Sequence, residues 1–269
     1  MKKKRLIPLL LLKNGWLVQS KEFQRYQNLG NPITAVKRLS EWGSDELIYL
    51  DISRDDVYDT RRDDQGYPNR QTFLEIIEDI SIVTFMPITV GGKIRSLKDI
   101  ENYLSSGADK ISINTMALSR PDFIAEAAKE FGTQCIVISM DIKSVNGQYR
   151  VFSHANATPT EHEPLAFAEM IQDKGAGEIL LNSMDRDGMS GGYDTELINL
   201  VSSNISIPVI ACGGVGDWEH FLLGFKETKA DAVAAANIFH YRDQSVYLAK
   251  KYLFENGARV RRPDLIKLN

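Results

Sequence analysis

The sequence predicts one (βα)8 barrel, an α/β fold, spanning residues 1–269 as a single domain, and three observations predict it. Short β-branched or aliphatic runs alternate with stretches of helical period, the pattern of a parallel sheet built from βα units. Eight such runs occur, the number that closes a barrel. The chain also nearly repeats itself. Gly43-Ser44-Asp45-Glu46-Leu47-Ile48 returns as Gly175-Ala176-Gly177-Glu178-Ile179-Leu180. Pro87-Ile88-Thr89-Val90-Gly91-Gly92 returns as Pro208-Val209-Ile210-Ala211-Cys212-Gly213-Gly214, and Gly107-Ala108-Asp109 is echoed by Lys229-Ala230-Asp231. Such self-similarity reads as two half-barrels, approximately 1–132 and 133–260.

Taken in order, the strands begin near Arg5, Leu47, Met86, Asp109, Gln134, Glu178, Pro208 and Asp231, with helical composition between them, as in Pro121 to Phe131 and Pro164 to Lys174. Two connections after strands, Asn14 to Pro32 and Ser53 to Asn69, are long for a compact domain. The first carries Lys21, Arg25 and Tyr26, and the second is rich in Asp and Arg. Both are expected over the catalytic face, either as lids that grip an anion or as plain solvated loops.

At 43% hydrophobic and 25% charged residues, with a net charge of -4, the composition is that of an ordinary globular protein and gives no electrostatic reason to expect nucleic acid. The basic start Lys2-Lys3-Lys4-Arg5 before Leu6-Ile7-Pro8-Leu9 superficially resembles a signal peptide, but the apolar run is short, contains proline and lacks a small-residue cleavage pattern. No apolar run approaches the roughly 20 residues of a spanning helix. Cys135 and Cys212 lie in separate strand-like runs without metal-ligand spacing, and His154, His162, His220 and His240 are scattered. A cytoplasmic protein with no metal, no cofactor and no membrane contact is expected, and the histidines are expected in surface or packing roles.

Phosphate is held by backbone N–H groups that glycine lets approach closely. Gly91, Gly92 and Lys93 with Asn114 and Thr115 follow the third and fourth strands, while Gly213 and Gly214 with Ala236 and Asn237 follow the seventh and eighth, the corner where this fold commonly binds phosphate. Two such corners fit a substrate with a phosphate at each end. Glycines also serve tight turns, so the pair of corners weighs more than either alone. Asp141 closes the run Ile136-Val137-Ile138-Ser139-Met140 and is placed to act as general acid or base at the barrel mouth. Its counterpart in the first half is Leu11, so one carboxylate stands where symmetry suggests two. Asp187-Gly188 and Asp51 are further candidates, mainly for positioning substrate. At the opposite strand ends, Arg5, Glu46, Lys110 and Glu178 open strands one, two, four and six and are able to converge on the barrel floor. Two cations and two anions suit a buried structural network, or a gate for a small polar molecule entering from below.

These stretches together resemble the cyclase subunit of imidazole glycerol phosphate synthase over nearly the whole chain. The likeness runs through Arg5-Leu6-Ile7-Pro8, Asp45-Glu46-Leu47, Val90-Gly91-Gly92, Gly107 to Thr115, Gly177 to Leu181, Ser183 to Gly188 and Ile238-Phe239-His240. The resemblance implies a barrel that receives ammonia from a separate glutaminase subunit docked on its floor, with Arg5, Glu46, Lys110 and Glu178 as the ammonia gate. The catalytic face departs from the family pattern: the general-acid aspartate is Leu11, a first-loop lysine is Gln19, and the third glycine of the first corner is Lys93. A threonine is Asn182, a serine is Asn237 and another serine is Cys212.

That combination resembles the divergent branch that forms acetamidino groups on bacterial surface-glycan sugars, with Asp141 handling protons and Lys93 supplying charge to a substrate phosphate. Histidine-pathway cyclisation by a variant site, the sister isomerase reaction, and a non-catalytic barrel that only activates the glutaminase are the alternatives. The substrate implied is an anionic phosphosugar or nucleotide sugar.

Overall fold

A computed structural model of the chain describes residues 3–21, 25–58, 70–240 and 245–265. In chain order its strands are β1 (Arg5–Lys13), β2 (Trp16–Lys21), β3 (Arg25–Gly30), β4 (Leu47–Asp51), β5 (Ile88–Gly91), β6 (Lys110–Ile113), β7 (Ile136–Val145), β8 (Gln148–Ser153), β9 (Thr158–Pro159), β10 (Glu178–Ser183), β11 (Val209–Cys212) and β12 (Ala232–Ala235). Eight of them, β1, β4, β5, β6, β7, β10, β11 and β12, form a closed parallel barrel. Pairing of Arg5 with Ala232 joins the last strand to the first, and pairing of Glu178 with Val137 joins the two strands that flank the β8–β9 extension.

Each expected strand is present, starting one or two residues later in several cases. The largest offsets are at Ile88 and Ile136. The second has a local cause: Gly132, at φ 89°, ends the preceding helix, and Thr133–Cys135 form a 3-10 turn before β7 begins. The expected helical stretches appear as Asp122–Phe131 and Pro164–Asp173. Helix starts obey local chemistry. Thr72 and Ser96 accept from the backbone of Glu75 and Asp99, whose carboxylates reach back to the capping residues and satisfy amides that the first turn leaves unpaired.

The stretch from Asn14 to Pro32, read from the sequence as a loop, contains a hairpin. Asn14 and Gly15, at φ 50° and 79°, turn the chain so that β2 pairs antiparallel with β1, and β3 extends the ribbon. Asn-Gly is the pair that tolerates two consecutive positive φ values in a two-residue hairpin turn. Its tip, 22–24, lies outside the described residues, as does the greater part of the second long connection, 59–69.

Side chains alternate along the strands, so one set faces the surrounding helices and the other fills the barrel. Leu6, Leu10 and Leu12 belong to the large core under the helices, whereas Ile7, Leu9, Ile48, Val137, Leu180, Ile210 and Ala234 form a separate cluster inside the barrel. Near the floor, Lys250 is 3% exposed and pairs with Asp45 at 2.9 Å, tying the helix Ser245–Glu255 to the chain before β4.

Candidate functional site

Arg5, Glu46, Lys110 and Glu178 meet at the strand starts in a closed ring of alternating charge. Arg5 Nη1 lies 2.7 Å from Glu46 and Nη2 pairs with Glu178, while Lys110 Nζ lies 2.5 Å from Glu46 and 3.0 Å from Glu178. Each carboxylate therefore bridges both cations. Burial works against the charged forms, but Glu178 and Glu46 outweigh it and hold both Arg5 and Lys110 above their ordinary pKa values. The cations keep over a fifth of their side-chain surface exposed, at 23% and 21%, so the ring is reachable from the floor.

Above the ring, the inward positions of β6 and the residue just after it form a polar column. Lys110 is followed by Ser112 and then Asn114, spaced two residues apart on one face of the strand. Ser112 Oγ and Asn114 Oδ1 are both buried without a hydrogen-bond partner. Buried polar atoms are normally satisfied, so the column carries two atoms with hydrogen-bonding capacity to spare. At about 3.3 Å per residue, the column from Lys110 to Asn114 rises about 13 Å.

Asp141 stands at the upper end of this column, only 6% exposed. Asn114 Nδ2 donates to its Oδ2 at 2.8 Å, Asn182 Nδ2 donates to its Oδ1 at 2.8 Å, and His154 Nε2 lies 2.9 Å from Oδ2. The Asn114 amide also donates to the Ser139 carbonyl at 3.0 Å, which fixes its orientation. The hydrogen bond to Asp141 raises the His154 pKa, against the opposing effect of burial. A carboxylate held by two amides and an imidazole is suited to proton transfer.

The Gly91-Gly92 corner is occupied by the protein itself. Lys93 extends the turn at φ 55° and its ammonium lies 3.1 Å from Asp51, whose side chain is fully buried. It also donates to the Asp55 carbonyl and lies 5.1 Å from the centre of the Tyr58 ring. Asp51 further accepts from Tyr58 Oη at 2.8 Å and from the Ser53 amide at 2.9 Å. Lys93, read from the sequence as a charge for substrate phosphate, is thus paired internally. Asp51 anchors this corner rather than presenting an open carboxylate. Lys93→Gly relieves about 1–2 kcal/mol of left-handed strain but strips Asp51 of its cation, a loss of about 3–5 kcal/mol for a buried pair. The expected result is net destabilisation by about 2 kcal/mol, read as a lower midpoint of thermal unfolding.

At the other corner the β2–β3 hairpin folds over the barrel mouth. Ser20 Oγ donates to Asp187 at 3.0 Å, and the Ser20 carbonyl accepts from Asn237 Nδ2 at 2.7 Å. Asn237 Oδ1 is buried without a partner. A Cβ on Gly188 would lie 3.0 Å from the Lys21 backbone, and one on Gly214 only 2.1 Å from the Gly192 carbonyl, so chain packing alone demands glycine at these places. Gly213 completes this corner after β11, Ala236 borders the barrel interior after β12, and Thr115 opens the short helix that Asn114 precedes.

His154 is the residue that sequence reasoning missed. Of the other histidines, His162 packs against Phe167 with ring centres 5.4 Å apart, His220 accepts the Gly216 amide at 3.0 Å, and burial followed by the Arg38 charge pushes His240 down to about 4. Only His154 reaches the site. A signal for it existed: Asn146-Gly147 turns β7 into β8, pairing Val145 with Gln148 and Ile142 with Val151, and so folds His154 back beside Asp141. Asn182, noticed only as a replacement, proves to be a direct partner of Asp141.

Among the described residues no helix is long and apolar enough to cross a membrane, and no group of three potential ligands could hold a metal ion. A family model described as "Histidine biosynthesis protein" matches residues 5–245. With closed barrel and matching sequence in agreement over nearly its whole length, the chain belongs to the histidine biosynthesis protein family of barrel enzymes.

Proposed function

We propose that this chain is the ammonia-consuming subunit of a glutamine amidotransferase pair, which joins ammonia to a sugar-derived acceptor at Asp141. The observation that carries this reading is the polar column of β6, which starts at a charged ring open to the floor and ends at Asp141, with unpartnered acceptors at Ser112 and Asn114 between them. Ammonia is a donor small enough to pair with such atoms inside the barrel. Enclosure also matters chemically, because ammonia free in neutral water is mostly protonated and no longer nucleophilic.

A glutaminase subunit is the proposed source, docked on the floor around the ring. Ile82 and Phe85, in the chain that leads into β5 at that face, are 77% and 76% exposed, as befits residues that a partner covers. The unpaired Cys135 and Cys212 fit a reducing, cytoplasmic setting.

For the acceptor, we favour an activated acetamido-type sugar of a surface glycan, converted to the acetamidino form. Leu11 removes the second carboxylate, and Lys93 with Asp51 closes one of two corners that a substrate with two phosphates would use. Histidine-pathway cyclisation is the second reading. The family match favours it, and so does His154, which offers a proton donor where Leu11 cannot.

One experiment separates the two. An extract of the native host lacking this chain supplies the acceptors, and purified chain, glutaminase and heavy-nitrogen glutamine are added back. Mass spectrometry is expected to find the label in an acetamidino sugar; label in imidazole glycerol phosphate instead returns the chain to histidine biosynthesis.

A further inference from the structure

Joining ammonia to carbon with loss of an oxygen leaving group requires two proton movements. The attacking nitrogen must lose a proton, and the departing oxygen must gain one. A base and an acid are both needed, and Asp141 alone supplies one of them. The pseudo-twofold counterpart of Asp141 is Leu11, which can do neither.

The hairpin after β7 brings a second group to the same place. His154 Nε2 lies 2.9 Å from Asp141 Oδ2 in a side chain that remains 38% exposed, so the imidazole contacts both the carboxylate and the open mouth. The corresponding hairpin of the first half delivers Ser20, which donates to Asp187. An ionised carboxylate has about four acceptor positions, and Asn114, Asn182 and His154 occupy three of them on Asp141, two at Oδ2 and one at Oδ1. The remaining position is on Oδ1. Resting on the ammonia-consuming reaction proposed above, we infer that His154 is the acid of this site and Asp141 its base, the pair filling the role left vacant at Leu11.

The step balances. The nitrogen lone pair forms the C–N bond while the electron pair of the breaking C–O bond leaves with oxygen. One N–H proton passes to Asp141 Oδ1, and the His154 imidazolium gives a proton to the departing oxygen and becomes neutral. The two residues regain their starting states by exchange with solvent, to which His154 is open. Asp141 has a second effect, because its charge and hydrogen bond keep His154 protonated to higher pH than a free imidazole. Lys143, 5.9 Å from the centre of the Phe152 ring, is a neighbouring cation on β7, and Phe152 itself packs edge-on against His154 at 5.2 Å.

His154→Gln is the informative variant, since its amide can still donate to Asp141 but cannot transfer a proton. In the host-extract assay, with label read in both the acetamidino sugar and imidazole glycerol phosphate, His154→Gln is expected to lower labelling by about a hundredfold or more, as Asp141→Asn does. Near-normal labelling by His154→Gln, with Asp141→Asn inactive, overturns the acid assignment and leaves the proposed function standing. Loss in both variants of label that appears in imidazole glycerol phosphate overturns the acceptor and upholds His154. Label in either product that Asp141→Asn leaves undiminished overturns both. NMR titration of the intact chain adds a substrate-free arm. His154 is expected to titrate above the ordinary 6.5 and to fall in Asp141→Asn; an unchanged titration refutes the pairing.

Discussion

Asp141→Asn is expected to abolish nitrogen transfer from glutamine and from ammonium salt alike, by about a hundredfold to ten-thousandfold, the usual contribution of a positioned proton-transfer group. The variant keeps the shape of the side chain and removes its charge and basicity. An amide at this position also faces the amides of Asn114 and Asn182, two donors aimed at oxygens 2.8 Å away, so it must present at least one N–H to a donor. Some destabilisation follows from that conflict, and circular dichroism with thermal unfolding checks that the barrel persists. Labelling of product from heavy-nitrogen ammonium measures the effect on chemistry. Activity retained near the level of the unmodified chain would remove Asp141 from the reaction.

Much of the barrel was legible because its signals are local. Aliphatic runs of β length, capping residues such as Thr72 and Ser96 and the repeat between halves each depend on a few neighbouring residues. The floor ring was legible for a similar reason. Arg5, Glu46, Lys110 and Glu178 stand at or just before the starts of their strands, and a closed parallel barrel brings all strand starts to one face. Asp141 could be found from its place near the mouth end of an apolar run.

What stayed hidden depended on contacts between distant residues. His154 is thirteen positions from Asp141 and meets it only because the Asn146-Gly147 turn reverses the chain. Lys93 looked like an added charge for phosphate, since nothing in the local sequence shows that the buried Asp51 lies beside it. The hairpin over the second corner was read as a loop although Asn14-Gly15 announces the turn. In each case, turn chemistry or a pairing partner decided the outcome, and composition did not.

The second large effect concerns the floor. Removing the Lys110 ammonium leaves Glu46 and Glu178 bridged by Arg5 alone, which leaves the ring with excess negative charge and opens its contact between β4, β6 and β10. The Lys110 hydrogen bonds go to Glu46 and Glu178 at the floor, a column's length from Asp141, so chemistry at the mouth is expected to survive. On the proposed function, glutamine-driven transfer depends on ammonia delivered through the floor and is expected to fall by about tenfold or more, equivalent to about 1.4 kcal/mol on the barrier. Lys110→Met serves as a companion, because its apolar stem keeps the packing of the strand start while removing the charge.

The central claim is that nitrogen enters at the floor and reacts at the mouth. Its most direct test is the ratio of glutamine-driven to ammonium-driven product labelling for Lys110→Ala and the unmodified chain, each with the glutaminase bound. A ratio that collapses while ammonium-driven labelling is retained is the predicted result. Equal loss of both activities, or no loss of either, would contradict passage through the ring.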